Sequence, residues 1–327
     1  MRLIVGVDIG GTNVVVATIV EDGSAVYGIK KERTLSGDGA DAVVTQVAQM
    51  VDRSLSDTRS SLEVTTLDVA GIGIGAPGPL STQTGVVHLT PNLGWRNFPL
   101  RDRVSEAVGL PASLDNDANC AIFGEWWQGA ARGANTVVGL TIGTGIGGGI
   151  VLDGKIHHGA SDIAGEIGHM SIDSTGRHCK CGNYGCIEAY ASGSAIADRA
   201  IEGIEAGANS RLGEYVGGDL SAVTAQVVYD AAKDGDEYAL EVIKDTSRFL
   251  GTAVANLVNI FNPGIVVICG GVTAAGDRLF VPLREEVKRR AFRPAVEACQ
   301  ILPGVLPGTA GVFGAAAAFK VQTWGTV

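Results

Sequence analysis

Two glycine turns, each between two β-rich runs, constrain the fold more than any other feature of this 327-residue chain. Residues 3–9 form a short apolar run that ends at Gly10-Gly11, and a second β-rich run covers residues 13–20. The same order returns at 137–153, where a glycine turn at 143–149 separates two runs. Because this pattern occurs twice, with helical periodicity in between, the sequence predicts an α/β fold built by duplication. We expect two halves of β-meander plus helices around a cleft.

The glycine turns themselves indicate an anion site. Residues 73–78 and 143–148 match G-x-G-x-x-G, but a dinucleotide fingerprint must open a helix. The first match runs into Pro77 and the second into a predicted strand. A tight turn between strands instead presents backbone N–H groups to an anion, and Asp8 could hold Mg²⁺ near phosphates. Two ordinary β-hairpins are the alternative, but their duplicated positions favour nucleotide binding.

Composition excludes several classes of protein. The length suggests two domains at about 150 residues each. Apolar types make up 46% and charged types 18% of the chain, which excludes a disordered protein. No apolar stretch approaches the ~18 residues of a membrane span, and no signal peptide precedes Asp8, so we expect a cytoplasmic protein without a membrane partner. The net charge of −10 disfavours a nucleic-acid partner.

A cluster of cysteines indicates a metal site. Cys179, Cys181 and Cys186 lie within eight residues, and His169 precedes them by ten. Three thiolates and one imidazole suit a closed, structural Zn²⁺ site. Buried free thiols or a redox pair are the alternatives, but the C-x-x-C redox motif is absent from the sequence. On spacing alone, His178 competes with His169 as the fourth ligand.

Several polar and aromatic residues are candidates for chemistry. Asp117 follows a predicted strand at 112–114 and opens a helix, so its carboxylate is either a general base or only a helix cap. Glu166 and Glu188 flank the cysteine cluster, and their small or apolar neighbours make a buried role credible. Stacking on a sugar is less favoured than packing for the three candidate tryptophans, Trp95, Trp126 and Trp127. We expect His88, His157 and His158 to be surface or loop residues.

Six motifs occur in an order that resembles one known family. They are Asp8-Ile-Gly-Gly-Thr-Asn13, Gly75-Ala-Pro-Gly78, Asn116-Asp-Ala-Asn119, Thr141-Ile-Gly-Thr-Gly-Ile-Gly-Gly148, Gly165-Glu-Ile-Gly-His169 and Cys179-Lys-Cys-Gly-Asn-Tyr-Gly-Cys186. Together they resemble the ROK family of repressors and sugar kinases across essentially the whole chain. The resemblance implies an actin/hexokinase-like ATPase fold. It also implies ATP-dependent phosphorylation of glucose at the 6-hydroxyl, giving glucose 6-phosphate and ADP.

The resemblance also implies roles for individual residues. Asp117 would take the proton from the sugar 6-hydroxyl, and His169 would complete the zinc site in preference to His178. The residues implied to bind the sugar are Gly75, Asn92, Asn116, Asp117, Glu166, His169 and Glu188. Those implied to bind ATP and Mg²⁺ are Asp8, Gly10, Gly11, Thr12, Asn13, Thr144, Gly145, Gly270 and Gly271.

Alternatives within the family stay open at this point. A kinase for fructose, mannose, allose or N-acetylmannosamine would share these residues. A sugar-sensing repressor is disfavoured, because repressor members carry a helix-turn-helix domain before the first motif. We expect a homodimer or homotetramer. We also expect a small N-terminal α/β domain at 1–116, with the helix at 308–327 packing back on it, and a large domain with the zinc loop at 117–307.

Overall fold

The computed structural model describes residues 1–90 and 92–327, which divide into two compact units. The first unit contains Met1–Asn135, Gly149–Gly165 and Val305–Val327. The second contains Thr136–Gly148 and Glu166–Gly304. Helix 117–128 belongs to the first unit, so the boundary that the sequence suggested at residue 117 does not coincide with this division.

The secondary structure alternates short strands with helices. The strands are β1 (Arg2–Ile9), β2 (Asn13–Val20), β3 (Val26–Arg33), β4 (Asp68–Ala76), β5 (Leu80–Ser81), β6 (Val86–Thr90), β7 (Trp95–Phe98), β8 (Ala112–Asn116), β9 (Thr136–Ile142), β10 (Ile146–Leu152), β11 (Lys155–Ile156), β12 (Ile265–Cys269) and β13 (Gln300–Pro303). The helices are α1 (Ala40–Leu62), α2 (Leu100–Val108), α3 (Asp117–Gln128), α4 (Glu188–Ala191), α5 (Gly193–Glu205), α6 (Leu212–Tyr215), α7 (Ala225–Lys233), α8 (Glu237–Phe261), α9 (Asp277–Arg290), α10 (Arg293–Ala298) and α11 (Ala310–Trp324).

Two five-stranded sheets have equivalent strand orders, which confirms the predicted duplication. The first has the order β3-β2-β1-β4-β8, and the second β11-β10-β9-β12-β13. In the first, β1, β2 and β3 form an antiparallel meander, and β4 and β8 continue it in parallel. In the second, β12 is parallel to both β9 and β13. Each meander therefore ends beside strands whose carboxyl ends share one edge of the sheet, where ligands bind in open α/β sheets.

Close packing of α11 explains its small residues. A Cβ atom on Gly314 would lie 1.6 Å from the Cys120 carbonyl oxygen of α3, so the two helices approach where no side chain fits. Gly6 of β1 approaches the backbone of Val312 in the same way. This helix therefore lies against α3 and the first sheet, and holds the end of the chain on the first unit.

The second unit is built around α8, which buries twelve of its residues. Nine of these, all apolar, pack with β9, β12 and the neighbouring helices in one apolar cluster. Thr224 and Asp236 precede helical patterns in the sequence, and their residue types predict N-caps there. This prediction is confirmed, because their side chains accept hydrogen bonds from the backbone N–H groups of Val227 and Ala239. No helix in the described part of the chain is both long enough and apolar enough to cross a membrane.

Two sequence-based expectations about elements differ from the structure, and one sheet was not expected. Helical patterning predicts helix throughout 193–260, but the structure divides this run into α5 to α8, because glycines at 207, 217, 218 and 235 have positive φ angles that end helices. The strand predicted at 150–153 begins at Ile146, so the second glycine turn is shorter than expected. The small sheet of β5, β6 and β7 had no prediction.

Candidate functional site

Functional candidates of the first unit lie at the carboxyl ends of three parallel strands. In the sheet register, Asp8 of β1 is opposite Gly75 of β4, and Gly75 is opposite Asp115 of β8. Asn116 ends β8, and Asp117 begins α3. A Cβ atom on Gly75 would be 3.6 Å from the Cα atom of Asp117, so a larger residue there would fill the space beside this aspartate. The fold thus brings Asp8, Gly75, Asn116 and Asp117 to one sheet edge.

The cap of α3 is Asn116. Its side-chain oxygen accepts hydrogen bonds from the backbone N–H groups of Ala118 at 2.9 Å and Asn119 at 3.1 Å. Oδ1 of Asp117 also accepts from Ala118, at 2.8 Å. Because Asn116 occupies the cap position, capping alone does not account for an aspartate at 117. The positive end of the helix dipole favours the ionised form of that carboxylate.

Asp8 lies near Asp117 in an environment that disfavours its charge. Burial, followed by the negative charge of Asp117, raises the pKa of Asp8 to about 7. Two carboxylates that raise each other's cost of ionisation are typical of a site that takes a cation. The chemistry of this donor pair therefore fits Mg²⁺, which prefers oxygen ligands.

The first glycine turn is closed by short hydrogen bonds. The N–H of Gly10 donates to the carbonyl of Asn13 at 2.9 Å, and the hydroxyl of Thr34 donates to the carbonyl of Gly10 at 2.7 Å. Gly11 and Thr12 are exposed. A Cβ atom on Gly11 would meet the side chain of Asn92 at 3.7 Å, so the fold places Asn92 beside this turn.

The second glycine turn is held by a carboxylate. The N–H of Gly143 donates to the carbonyl of Gly145 at 3.0 Å, and Oε2 of Glu188 accepts from the N–H of Ile146 at 2.8 Å. The N–H of Gly193, at the start of α5, donates to the carbonyl of Gly143 at 2.8 Å. Thr144 stays exposed at the tip of the turn.

A cavity of about 420 Å³ opens beside Thr144. The first residues of α5 and α7 line it, among them Gly193, Ser194 and Gln226. A smaller adjoining cavity of about 160 Å³ reaches Gly271 and Tyr229. Two helix N-termini at one cavity favour an anionic ligand. The fold therefore joins Thr144, Gly145 and Gly271 in a candidate nucleotide half-site.

Gly270 and Gly271 begin the turn that follows β12. Gly270 has a φ of +98°, and a Cβ atom there would be 2.1 Å from the carbonyl oxygen of Ile142, so only glycine fits. Gly271 has no heavy atom within 4 Å of its would-be Cβ and faces open space. The sequence missed Ser194, Gln226 and Tyr229 as lining residues, although Thr224 as a predicted N-cap pointed to the helix N-terminus beside them.

The cysteine cluster has the dimensions of a zinc site. Sγ atoms of Cys181 and Cys186 are 3.7 Å apart, and Sγ of Cys179 is 3.8 Å from Nδ1 of His169. All four ligand atoms lie within 4.8 Å of one another. A tetrahedral zinc ion with Zn–S bonds of about 2.3 Å has ligand edges of about 3.8 Å. The donor set therefore fits a structural zinc.

His169 is the histidine that the fold brings to the thiols. His178 instead places its ring edge-on against Tyr184, with the centroids 5.1 Å apart. Nδ1 of His169 faces the cysteines, whereas its Nε2 is 3.9 Å from Oε2 of Glu166. Both side chains are well exposed, at 38% for His169 and 49% for Glu166, so they remain accessible to a ligand within the second unit.

The tryptophans pack within the protein. Trp95 is buried, Trp126 stacks on Phe123, and Trp127 contacts Phe313 edge-on. His88 and His157 are exposed as expected. His158 lies in a loop, as expected, and its Nε2 is 2.8 Å from Oδ2 of the buried Asp115. Residues 43 apart meet here, which local patterns do not reveal.

Comparison with known proteins identifies the family of the chain. Residues 4–322 match the profile of the ROK family. The chain is 40% identical to a glucokinase of Halalkalibacterium halodurans, over 98% of this chain and 96% of that protein. It is 37% identical to a glucokinase of Thermotoga maritima, over 98% of each chain.

A solved structure has the same fold along nearly the whole chain. It is a ROK family glucokinase from Streptomyces griseus in complex with glucose and AMPPNP, with a TM-score of 0.82 and 32% identity. The match covers 96% of this chain and 98% of that one. The fold is therefore that of the actin/hexokinase-like sugar kinases. From its sequence, its duplicated sheets and these matches, the chain belongs to the ROK family.

Proposed function

We propose that this protein is a glucokinase, which transfers the γ-phosphoryl group of ATP to the 6-hydroxyl of glucose. The observation that carries the proposal is the placement of Asp117 at the start of α3, next to Asp8 at the same sheet edge. A sugar hydroxyl needs a carboxylate base, and the phosphates need a cation beside it. The glucokinase relatives and the glucose complex described above support glucose as the sugar and ATP as the donor.

Asp117 is the proposed general base. Its carboxylate accepts the proton of the 6-hydroxyl while that oxygen forms a bond to the γ-phosphorus, and the bond from phosphorus to the ADP oxygen breaks. The helix dipole keeps Asp117 ionised before the transfer. Asn116 lies beside Asp117 and binds a neighbouring hydroxyl of the sugar. Gly75 also lies beside Asp117 and leaves room for the sugar. Asn92 adds a further polar contact.

The second unit supplies further sugar contacts in this proposal. Glu166, His169 and Glu188 accept from or donate to ring hydroxyls, and polar groups that pair with a substrate hydroxyl discriminate strongly against sugars that lack it. His169 would hold zinc through Nδ1, the atom that faces the cysteines, and Nε2 would be left for a hydroxyl. Zinc bound by His169 and the three cysteines would keep this loop in shape and would not activate water.

ATP binding is assigned to the two glycine turns and the cavities beside Thr144. Gly11, Thr12 and Asn13 present backbone and hydroxyl donors to phosphates, as do Thr144 and Gly145, and Gly10 closes the first turn beside the phosphates. Gly270 and Gly271 flank the nucleoside. Asp8 is the residue that would hold Mg²⁺, through water. When bound, Mg²⁺ neutralises charge that develops on the transferring phosphoryl group.

Substrate specificity is the direct test. A coupled assay measures ADP release with glucose, fructose, mannose, allose and N-acetylmannosamine, each with ATP, and also measures glucose with ADP or polyphosphate as donor. We expect the highest kcat/KM for the pair of glucose and ATP. A higher kcat/KM for another sugar would contradict the assignment of glucose, and no transfer to any sugar would contradict the kinase.

Three properties complete the proposal. The family resemblance supports a homodimer or homotetramer, which light scattering coupled to size-exclusion chromatography measures. The acidic charge supports a protein that does not bind nucleic acid. A cytoplasmic location fits an enzyme that consumes ATP.

A further inference from the structure

His158 is not among the proposed catalytic and binding residues, but it contacts Asp115, a buried aspartate that adjoins two of them in the sequence. Nε2 of His158 lies 2.8 Å from Oδ2 of Asp115, whose side chain is only 1% exposed. His158 is 27% exposed and belongs to residues 149–165, which are part of the first unit. Asp115 directly precedes Asn116 and Asp117. A side chain far away in the sequence therefore contacts the strand end that carries the proposed base.

His158 is the partner that can balance the charge of Asp115. The other donors to Asp115 are neutral: the backbone N–H of Asn116 at 2.8 Å, the amide of Asn119 at 3.3 Å and the amide of Gln322 at 3.4 Å. A buried carboxylate is costly unless it is paired as well as hydrogen-bonded. Only an imidazolium among these groups carries the opposite charge.

Asp115 in turn determines where α3 begins. Its Oδ1 atom accepts from the N–H of Asn116 and from the side chain of Asn119, which lies one helical turn into α3. Between them, Asn116 caps the helix and Asp117 is its first residue. A shift of the Asp115 carboxylate would therefore move the backbone that carries Asp117.

A second contact holds the segment 149–165 on the first unit. Asp162 accepts from the backbone N–H of Thr82 at 3.1 Å and from its hydroxyl at 3.2 Å. This anchor is independent of His158, so loss of the histidine should leave the segment attached. The contact of His158 with Asp115 thus has a purpose beyond fastening the loop.

We propose that His158, through its contact with the Asp115 carboxylate, is a positioning residue, which holds Asp115 and through it the helix start at Asn116-Asp117 in the arrangement that phosphoryl transfer requires. This inference rests on the proposed role of Asp117 as the base. His158 would touch neither sugar nor ATP. Its effect is on kcat, because it determines the position of the base in the assembled site.

The charges that face His158 agree with this proposal. Burial lowers the pKa of His158, but the hydrogen bond and charge of Asp115, with a smaller contribution from Asp162, raise it above its ordinary value of 6.5. The facing residue of α11, Gln322, is neutral, and the buried Cys120 thiol of α3 has a pKa well above its ordinary value and stays neutral. His158 therefore keeps its proton to a higher pH than an ordinary histidine does.

The test compares His158→Gln with His157→Gln. Glutamine at 158 keeps an N–H donor but has no charge, and the exposed neighbour His157 is a matched control. We expect kcat of His158→Gln to fall about tenfold at pH 6.5, with the KM values for glucose and ATP nearly unchanged. In the wild type, kcat should decrease as the pH rises above the pKa of His158. This decrease should be absent from His158→Gln and present in His157→Gln.

A second measurement does not depend on activity. The Cε1–H resonance of His158, assigned by its loss in His158→Gln, should titrate above pH 6.5 in the wild type and at lower pH in Asp115→Asn. If His158→Gln has the same kcat and the same pH profile as the wild type, the proposal is overturned. It is also overturned if Asp115→Asn leaves the titration of His158 unchanged. If Asp115→Asn does not fold, the kinetics of His158→Gln decide. An active Asp117→Asn variant would instead contradict the assignment of the base.

Discussion

The carboxylate of Glu188 accepts a 2.8 Å hydrogen bond from the backbone N–H of Ile146, directly after the second glycine turn. Its other oxygen lies 3.9 Å from Sγ of Cys179. One side chain thus links the turn proposed to hold phosphates with the loop proposed to hold zinc. We therefore expect Glu188 to support nucleotide binding in addition to the sugar contact that family resemblance implies.

Substitution of Glu188 should reveal its contribution to nucleotide binding. Glu188→Ala leaves the buried N–H of Ile146 without its acceptor, and we expect the KM for ATP to rise about tenfold. In Glu188→Gln the amide oxygen can still accept, so the KM for ATP should stay within about twofold of the wild type. Steady-state kinetics at saturating glucose measure both values. An unchanged KM for ATP in the alanine variant would contradict the role of Glu188 in holding the turn.

Asp117→Asn should remove the base and preserve the fold. We expect kcat to fall by a factor on the order of 10² or more, with glucose binding retained, because asparagine has similar size but accepts no proton. Asp277→Asn is a matched control, since Asp277 is likewise the first residue of a helix and is exposed. The coupled assay and calorimetric titration with glucose give the two quantities. Near-normal turnover in Asp117→Asn would place the base elsewhere.

Loss of one zinc ligand should affect metal content, stability and sugar affinity together. We expect about one zinc per chain in the purified protein and a strongly reduced content in Cys181→Ser, because a structural site holds its metal with all four ligands. The Tm and the affinity for glucose should both decrease. Cys299→Ser is the control, because Cys299 is outside the cluster. A metal-free wild type with full activity, found by elemental analysis, would refute the zinc site.

Asp8→Asn should make the protein more stable at high pH while it reduces activity. Asp8 has a pKa of about 7 in the folded chain, against an ordinary value of 3.8. Between these values the folded chain keeps a proton that the unfolded chain has lost, so the stability of the wild type decreases as the pH rises towards 7 and stays reduced above it. Asparagine has no such titration.

We therefore expect the Tm of Asp8→Asn to exceed that of the wild type at pH 8, with a difference that shrinks as the pH falls from 7 towards 4. Thermal unfolding is followed without Mg²⁺ or nucleotide and without a chelator, which would also remove zinc. Asp52→Asn, at an exposed position of α1, is the control. A Tm difference that does not depend on pH would mean that Asp8 is ionised without penalty.

Much of the local structure followed from the sequence. The apolar and β-rich runs on either side of Gly10-Gly11 predicted the first meander, and capping preferences located the starts of α7 and α8 at Thr224 and Asp236. These features depend on neighbours within a few residues, so a single chain segment contains all of the information. The cysteine spacing was of the same kind, because three ligands within eight residues can reach one ion.

The choice among distant partners was not available from local patterns. Spacing left His169 and His178 as competitors, and only the path of the loop turns the ring of His178 towards Tyr184. In the same way, the sequence predicted His158 as a surface or loop residue but not its partner. Only the fold places its side chain 2.8 Å from Asp115. The small sheet of β5 to β7 was missed because its strands have two to five residues, too few to show a period.

By itself, the sequence determined the duplicated meanders, the glycine turns, the metal-binding residue types and the helix starts, because each is decided by residues close together in the chain. Tertiary structure alone decided that Glu188 holds Ile146, 42 residues away, and that His158 faces Asp115. Such contacts depend on how strands and helices pack into a unit. Packing is a collective result of many weak apolar contacts, so no short segment specifies which polar side chains it will bring together.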